Sequence, residues 1–161
     1  MPVADRNKLD AFNKKVAELI RAISSADAYR ESMVEKIPLL KQAVIETAKL
    51  PEGTYAAVVA AEDKLKRIQR QMNGDGLRAL YEGVPPTSLR GRVEIITGNL
   101  WTTTSDATTT FQHLYDVAAA QFDGLLRALQ ETDAEIKRIE QQMDRYGAPF
   151  TPGRLPSVIK N

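Results

Sequence analysis

Between Phe111 and Tyr146 apolar residues recur at alternating spacings of three and four with no slip in register. The series is Phe111, Tyr115, Ala118, Phe122, Leu125, Leu129, Thr132, Ile136, Ile139, Met143 and Tyr146, interrupted only by Thr132. A second series runs Leu9, Phe12, Val16, Leu19, Ile23, Ala26, Arg30, Met33, Ile37, Leu40, Val44 and Thr47, with Arg30 and Thr47 as its exceptions. Such spacing keeps one face of an α-helix turned to a partner, the heptad habit of coiled coils and bundles. Two long helices packed on other helices are therefore required.

Shorter segments lie between them. Thr54 is placed to cap a helix with Val58, Ala61, Leu65, Ile68 and Met72 on its inner face, which stops at Asn73-Gly74. Ser88 opens another with Leu89, Val93, Ile96 and Leu100 inside. The threonines between Thr102 and Thr110 make a poor helix interior, so a loop with an N-cap at Ser105-Asp106 is expected there. Asp5 is the expected N-cap of the first helix, and Pro38 should kink it. Leu77 to Tyr81 is expected to make a turn that lids the bundle before Pro85-Pro86.

These readings combine into an all-α, up-down-up-down four-helix bundle over 1–147, with helices at about 5–48, 54–73, 88–102 and 106–146. The first and last helices are long and antiparallel, the middle two short. Gly147-Ala148-Pro149 ends the last helix, and 148–161 should be an extended tail. Where the short helices run out, the long pair would leave apolar surface unmatched. Arg30 and Met33 are the expected partner-contact residues at that end, the stem of Arg30 packing while its head reaches water.

Composition narrows the chemistry. A chain of 161 residues is long enough for a core of its own. With no cysteine, disulfides and thiol nucleophiles are excluded, and the redox compartment stays unread. Twenty-two basic against 21 acidic residues, interleaved, supply no field to attract nucleic acid or anionic lipid. The longest apolar run, Tyr55 to Ala61, is far short of the ~20 residues that cross a bilayer. Asp10–Lys14, Glu62–Lys66, Asp63–Arg67 and Asp133–Lys137 are spaced as helix-supporting pairs.

His113, the single histidine, has only Asp116 among its helical neighbours and reads as a solvated side chain. Neither Glu-x-x-His nor His-Glu-x-x-His occurs. Gly74 and Gly76 follow a helix instead of a strand, so they terminate it and cradle no phosphate. The acids of the last helix alternate with Lys137, Arg138 and Arg145, as on a solvated face. Arg90, Arg92, Arg154 and Lys160 lack the interleaved aromatics that stack bases. No catalytic, cofactor or metal constellation emerges. Trp101, Tyr115, Phe111 and Tyr81 are expected to form a hydrophobic plug.

The order of the pieces is suggestive. Leu80-Tyr81-Glu82-Gly83-Val84-Pro85-Pro86 leads into Leu89-Arg90-Gly91-Arg92-Val93. A polar break at Ser105-Asp106-Ala107-Thr108-Thr109 precedes Phe111-Gln112-His113-Leu114-Tyr115-Asp116-Val117, and the helix closes on Gly-Ala-Pro. This layout resembles the helical C-terminal region of large bacterial sortilin-like β-propeller proteins with BNR repeats, often labelled glycosyl hydrolases. Arg90-Gly91-Arg92 stands where that family has asparagines, and the proline of its polar break is missing here. The resemblance implies a non-catalytic accessory or interaction domain of a larger, periplasmic or extracellular protein. Its partner would be an adjacent domain or a second copy, and any glycan chemistry would belong to the propeller. The alternative is a free-standing bundle holding a small apolar ligand or lipid, which would need a cavity lined by Phe111, Phe122, Leu125 and Trp101.

Overall fold

The structure, a computed structural model, describes residues 3–75, 87–100 and 109–155. Four helices make up its regular structure: α1 (Val3–Ile45), α2 (Thr54–Asn73), α3 (Leu89–Leu100) and α4 (Thr109–Arg145). The expected class holds: the fold is all-helical, with first and last helices long and the middle pair short. The expected turn at Leu77–Tyr81, the cap at Ser105-Asp106, Trp101 and residues 156–161 lie outside the described residues.

The two stripes are the core. Of the stripe on α4, every member from Ala118 to Met143 is buried, and on α1 so is every member from Phe12 to Leu40. Thr132 keeps its place in the stripe because its hydroxyl donates to the Ala128 carbonyl at 2.7 Å, which leaves only its methyl to pack. Helix α1 continues unbroken through Ser24-Ser25 and Pro38, with Pro38 on the exposed side. It begins at Val3, ahead of the cap expected at Asp5.

The chain divides into two compact units where one bundle was expected. Met1–Ala28 with Ile68–Arg127 form the first, and Tyr29–Arg67 with Ala128–Asn161 the second. Packing in a bundle is local along the helix axis, and α1 alone is ~65 Å long by its rise per residue, more than one knot of side chains can cover.

In the second unit α1 pairs with α4 through Tyr29–Asp133 and Lys36–Glu140. Seven residues along one helix match seven along the other, so the two are parallel. Helix α2 returns alongside α1 after the turn at 46–53, placing Glu62 on Lys41. In the first unit α3 sets Arg90 against Asp27 but Ile96 against Phe12 and Val16, which makes it antiparallel to α1. It sets Arg92 on Gln121 and Ile96 beside Phe111 and Tyr115, which makes it antiparallel to α4 as well. The long helices are therefore parallel in each unit, and the alternating order with an antiparallel long pair is corrected. The cause is the link from Gly74 to Ser88, far longer than the two to five residues that force a helix to fold back on its predecessor. Asn73 ends α2 and bonds Arg90 near the start of α3, so α3 begins where α2 stops.

Helix ends follow their sequence signals closely. Ser88 Oγ accepts the Gly91 amide at 3.1 Å as an N-cap. Thr54 differs from expectation: it is the first helical residue, and its hydroxyl donates to the Pro51 carbonyl. Gly147, at φ 67°, closes α4 in a Schellman motif, with Ala148 N bonding Met143 O and Gly147 N bonding Asp144 O.

Residues 148–155 are folded back instead of extended. The Arg154 guanidinium is buried and donates to Asp144 Oδ1 and to the carbonyls of Pro149 and Ala148, and it lies over the Phe150 ring. A cation is favoured at a helix C-terminus, where unpaired carbonyls concentrate negative charge.

Candidate functional site

Arg30 and Met33 sit in the interior of the second unit, 6% and 2% exposed. The Arg30 stem is covered, and its Nη2 lies 3.4 Å from the exposed Glu31 carboxylate. Side chains already covered by their own chain have no area left for a partner, so the contact face expected at these two residues is corrected. The reason is that α2 and α4 fill the space beside them, where an unmatched end was expected.

The surface of the second unit offers another face. Among residues 31–45 of α1, Val34, Leu39 and Ile45 are large apolar side chains left exposed, Ile45 at 66%. They fall outside the 3–4 stripe, which is why the periodicity did not point to them. The available signal was simple: apolar residues remain on a helix after its core stripe has been removed. On a helical wheel Val34, Pro38, Lys41 and Ile45 form one row, Glu31, Glu35, Gln42 and Glu46 form the row beside it, and Leu39 lies beyond that second row. Lys41 reaches out of the first row to Glu62 at 2.7 Å, and Lys36, on the other flank of the helix, lies 3.5 Å from Glu140.

Ion pairs tie the second unit together around this helix. Lys64 meets Glu135, Lys66 meets Glu62, and Lys137 meets Asp133. The hydrogen bond from Lys41, joined by that from Lys66, holds the Glu62 carboxyl below its ordinary value. Burial pushes Asp133 up, but hydrogen bonds from Lys137 and Tyr29 outweigh it and the net direction is down. The bond to Asp133, with burial second, raises the Tyr29 phenol. A depressed carboxyl contributes stability above its unfolded pKa and loses it as pH falls through the folded value. The urea midpoint should therefore be level from pH 7 to about 5 and fall below about pH 4, and Glu62→Gln with Asp133→Asn should flatten that fall. An equally steep decline in the double variant would show that other groups control acid stability.

In the first unit α1 and α3 border a shallow groove of about 200 Å³ lined by Ile20, Ile23, Arg90, Val93, Glu94 and Thr97. Ligand pockets for small molecules usually hold ~300–1,000 Å³, so this groove is small for one. At its edge Asp27 Oδ2 accepts from Asn73 Nδ2 and Arg90 Nη2, each at 3.1 Å, while Arg90 Nε donates to Asn73 Oδ1 at 2.5 Å. Nothing in the spacing of residues 27, 73 and 90 announced this network.

The remaining candidates are placed as follows. His113 is exposed on α4. Phe111 and Tyr115 join Phe12, Val16 and Ile96 in an apolar cluster, Phe12 and Tyr115 meeting edge to face at 5.9 Å. Of the four basic residues, Arg90 binds Asp27, Arg92 binds Gln121, Arg154 binds Asp144, and Lys160 is outside the described residues. Among the described residues no three histidine or acidic side chains converge as metal ligands would. None of the described helices is long and apolar enough to cross a membrane.

In comparisons with known proteins, no family model, no curated protein and no solved structure matches this chain.

Proposed function

We propose that this chain is a non-catalytic contact domain that binds another protein surface, either an adjoining domain or a second copy. The observation that carries the reading is that Val34, Leu39 and Ile45 of α1 in the second unit remain exposed outside its buried stripe. Exposed apolar side chains favour burial against a partner by about 25 cal/mol for each Å² covered. The layout shared with the helical region of sortilin-like β-propeller proteins supports a place in a larger exported protein.

A side chain reserved for contact can change without harm to the fold. Ile45→Glu should leave the urea midpoint within about 0.5 kcal/mol of wild type. It should also abolish any rise in mass that light scattering detects across a concentration series. No glycoside, ester or phosphate should be turned over. A large stability loss from Ile45→Glu would show that the fold uses this residue, and a turnover removed by one point mutation would overturn the reading outright.

A further inference from the structure

Residues 148–155 turn back from the end of α4 onto their own unit, and they bury a hydroxyl while leaving apolar side chains in water. Thr151 is buried, and among the described residues its Oγ1 finds no hydrogen-bond partner. Phe150 and Leu155 of the same stretch are exposed, Leu155 at 90%. An unpaired buried polar group is costly and apolar surface in water gains nothing, so packing supports this arrangement poorly. One side chain holds it instead. Arg154 donates to the half-exposed Asp144 Oδ1 through Nε at 2.8 Å and again through Nη2, and to the carbonyls of Pro149 and Ala148 at 2.8 and 3.4 Å. Among the described residues, the backbone bonds of the stretch are Ala148 N to Met143 O and Arg154 N to Thr151 O, and neither reaches α1. Toward α1 the stretch presents Gly153, at φ 95°, so close to Lys36 that a Cβ would meet its Nζ at 2.7 Å.

We infer that residues 148–155 form a releasable strap, locked by Arg154 and able to open while the helices beneath it stay folded. The lock is local. Asp144, Pro149 and Ala148, the hydrogen-bond partners of the guanidinium, lie within ten residues of it in the chain, so releasing it breaks no bond between helices. Gly147 and Gly153, both in the left-handed region, let the backbone turn there without side-chain strain. Opening hydrates the Thr151 hydroxyl, gives water to the Lys36 ammonium, and frees Phe150 and Leu155 on a short arm. Hydration of the hydroxyl offsets part of the loss of the Arg154 bonds, which brings the open form within reach of the closed one. The second unit therefore switches between two surfaces at this end without unfolding.

The chain has no cysteine, so a single introduced thiol reports opening without interference. Thr151→Cys places that thiol inside the closed strap, and Val58→Cys places one in the core of the same unit, where only unfolding exposes it. With the full chain and a dilute aromatic disulfide reagent, the first thiol should be modified at least about 100-fold faster than the second. Both should react more slowly in buffer than in urea. Arg154→Met should speed the first about tenfold and leave the second unchanged. Arg154→Lys keeps the charge without the planar fork and should fall between. Equal rates for the two thiols would overturn the inference, since the strap would then open only with the whole unit. An equal gain at both positions from Arg154→Met would do the same. So would a Thr151→Cys thiol as reactive in buffer as in urea, which would leave no closed form, or one indifferent to Arg154→Met, which would put the lock elsewhere.

Discussion

Truncating Ile136 or Leu125 to alanine should each cost about 2–5 kcal/mol, whereas His113→Ala should stay within about 0.5 kcal/mol of wild type. Ile136 is 1% exposed in the second unit and Leu125 4% exposed in the first, so neither site has water to refill the space that truncation leaves. Lost transfer energy and an unfilled cavity then add. Domains of this size are stable by only about 5–15 kcal/mol, so one such change removes a large share. His113 is exposed on α4 and holds no part of the core. Urea midpoints of the three variants decide the matter. Similar losses for His113 and Leu125 would mean that the histidine is held by contacts that its exposure conceals.

Asp27→Ala should be the next most damaging change, at about 1.5–3 kcal/mol. The Asp27 carboxylate is largely buried and accepts from the last residue of α2 and the second residue of α3. Its removal leaves Asn73 and Arg90 bonded to each other but without the acceptor that fastens both to α1. Arg90 keeps 40% of its side chain in water, which places the loss below that of a fully buried pair. It remains well above the ~0–1 kcal/mol of a surface ion pair. A double-mutant cycle with Arg90→Met isolates the coupling. A coupling near zero would reduce the network to a bystander of the apolar contacts made by Leu89, Val93 and Ile96.

Residues that must be hidden were legible from spacing alone. The buried stripes on α1 and α4, the inner faces of the short helices, the stop at Gly147 and the cap at Ser88 each follow from a local rule: a 3.6-residue period, a hydroxyl before a helix, or a glycine after one. Helix direction was not legible, because a long link constrains reversal no more than continuation. The interior position of Arg30 was readable from its register, but the lack of an open end beside it was not. Burial there depends on which helices arrive alongside, and spacing within one helix says nothing about that.

The same division holds for the surface of the molecule. By itself the sequence determined four helices, their inner residues and the absence of a cysteine, since these depend on neighbours within a turn or two or on composition alone. The tertiary structure decided that α1 and α4 run parallel in each unit and that Asp27, Asn73 and Arg90 meet. It also folded Arg154 back onto Asp144 and left Val34, Leu39 and Ile45 uncovered beside a row of glutamates. Those outcomes join residues dozens of positions apart, or depend on what fails to cover them, and both are set only when the helices have found their neighbours.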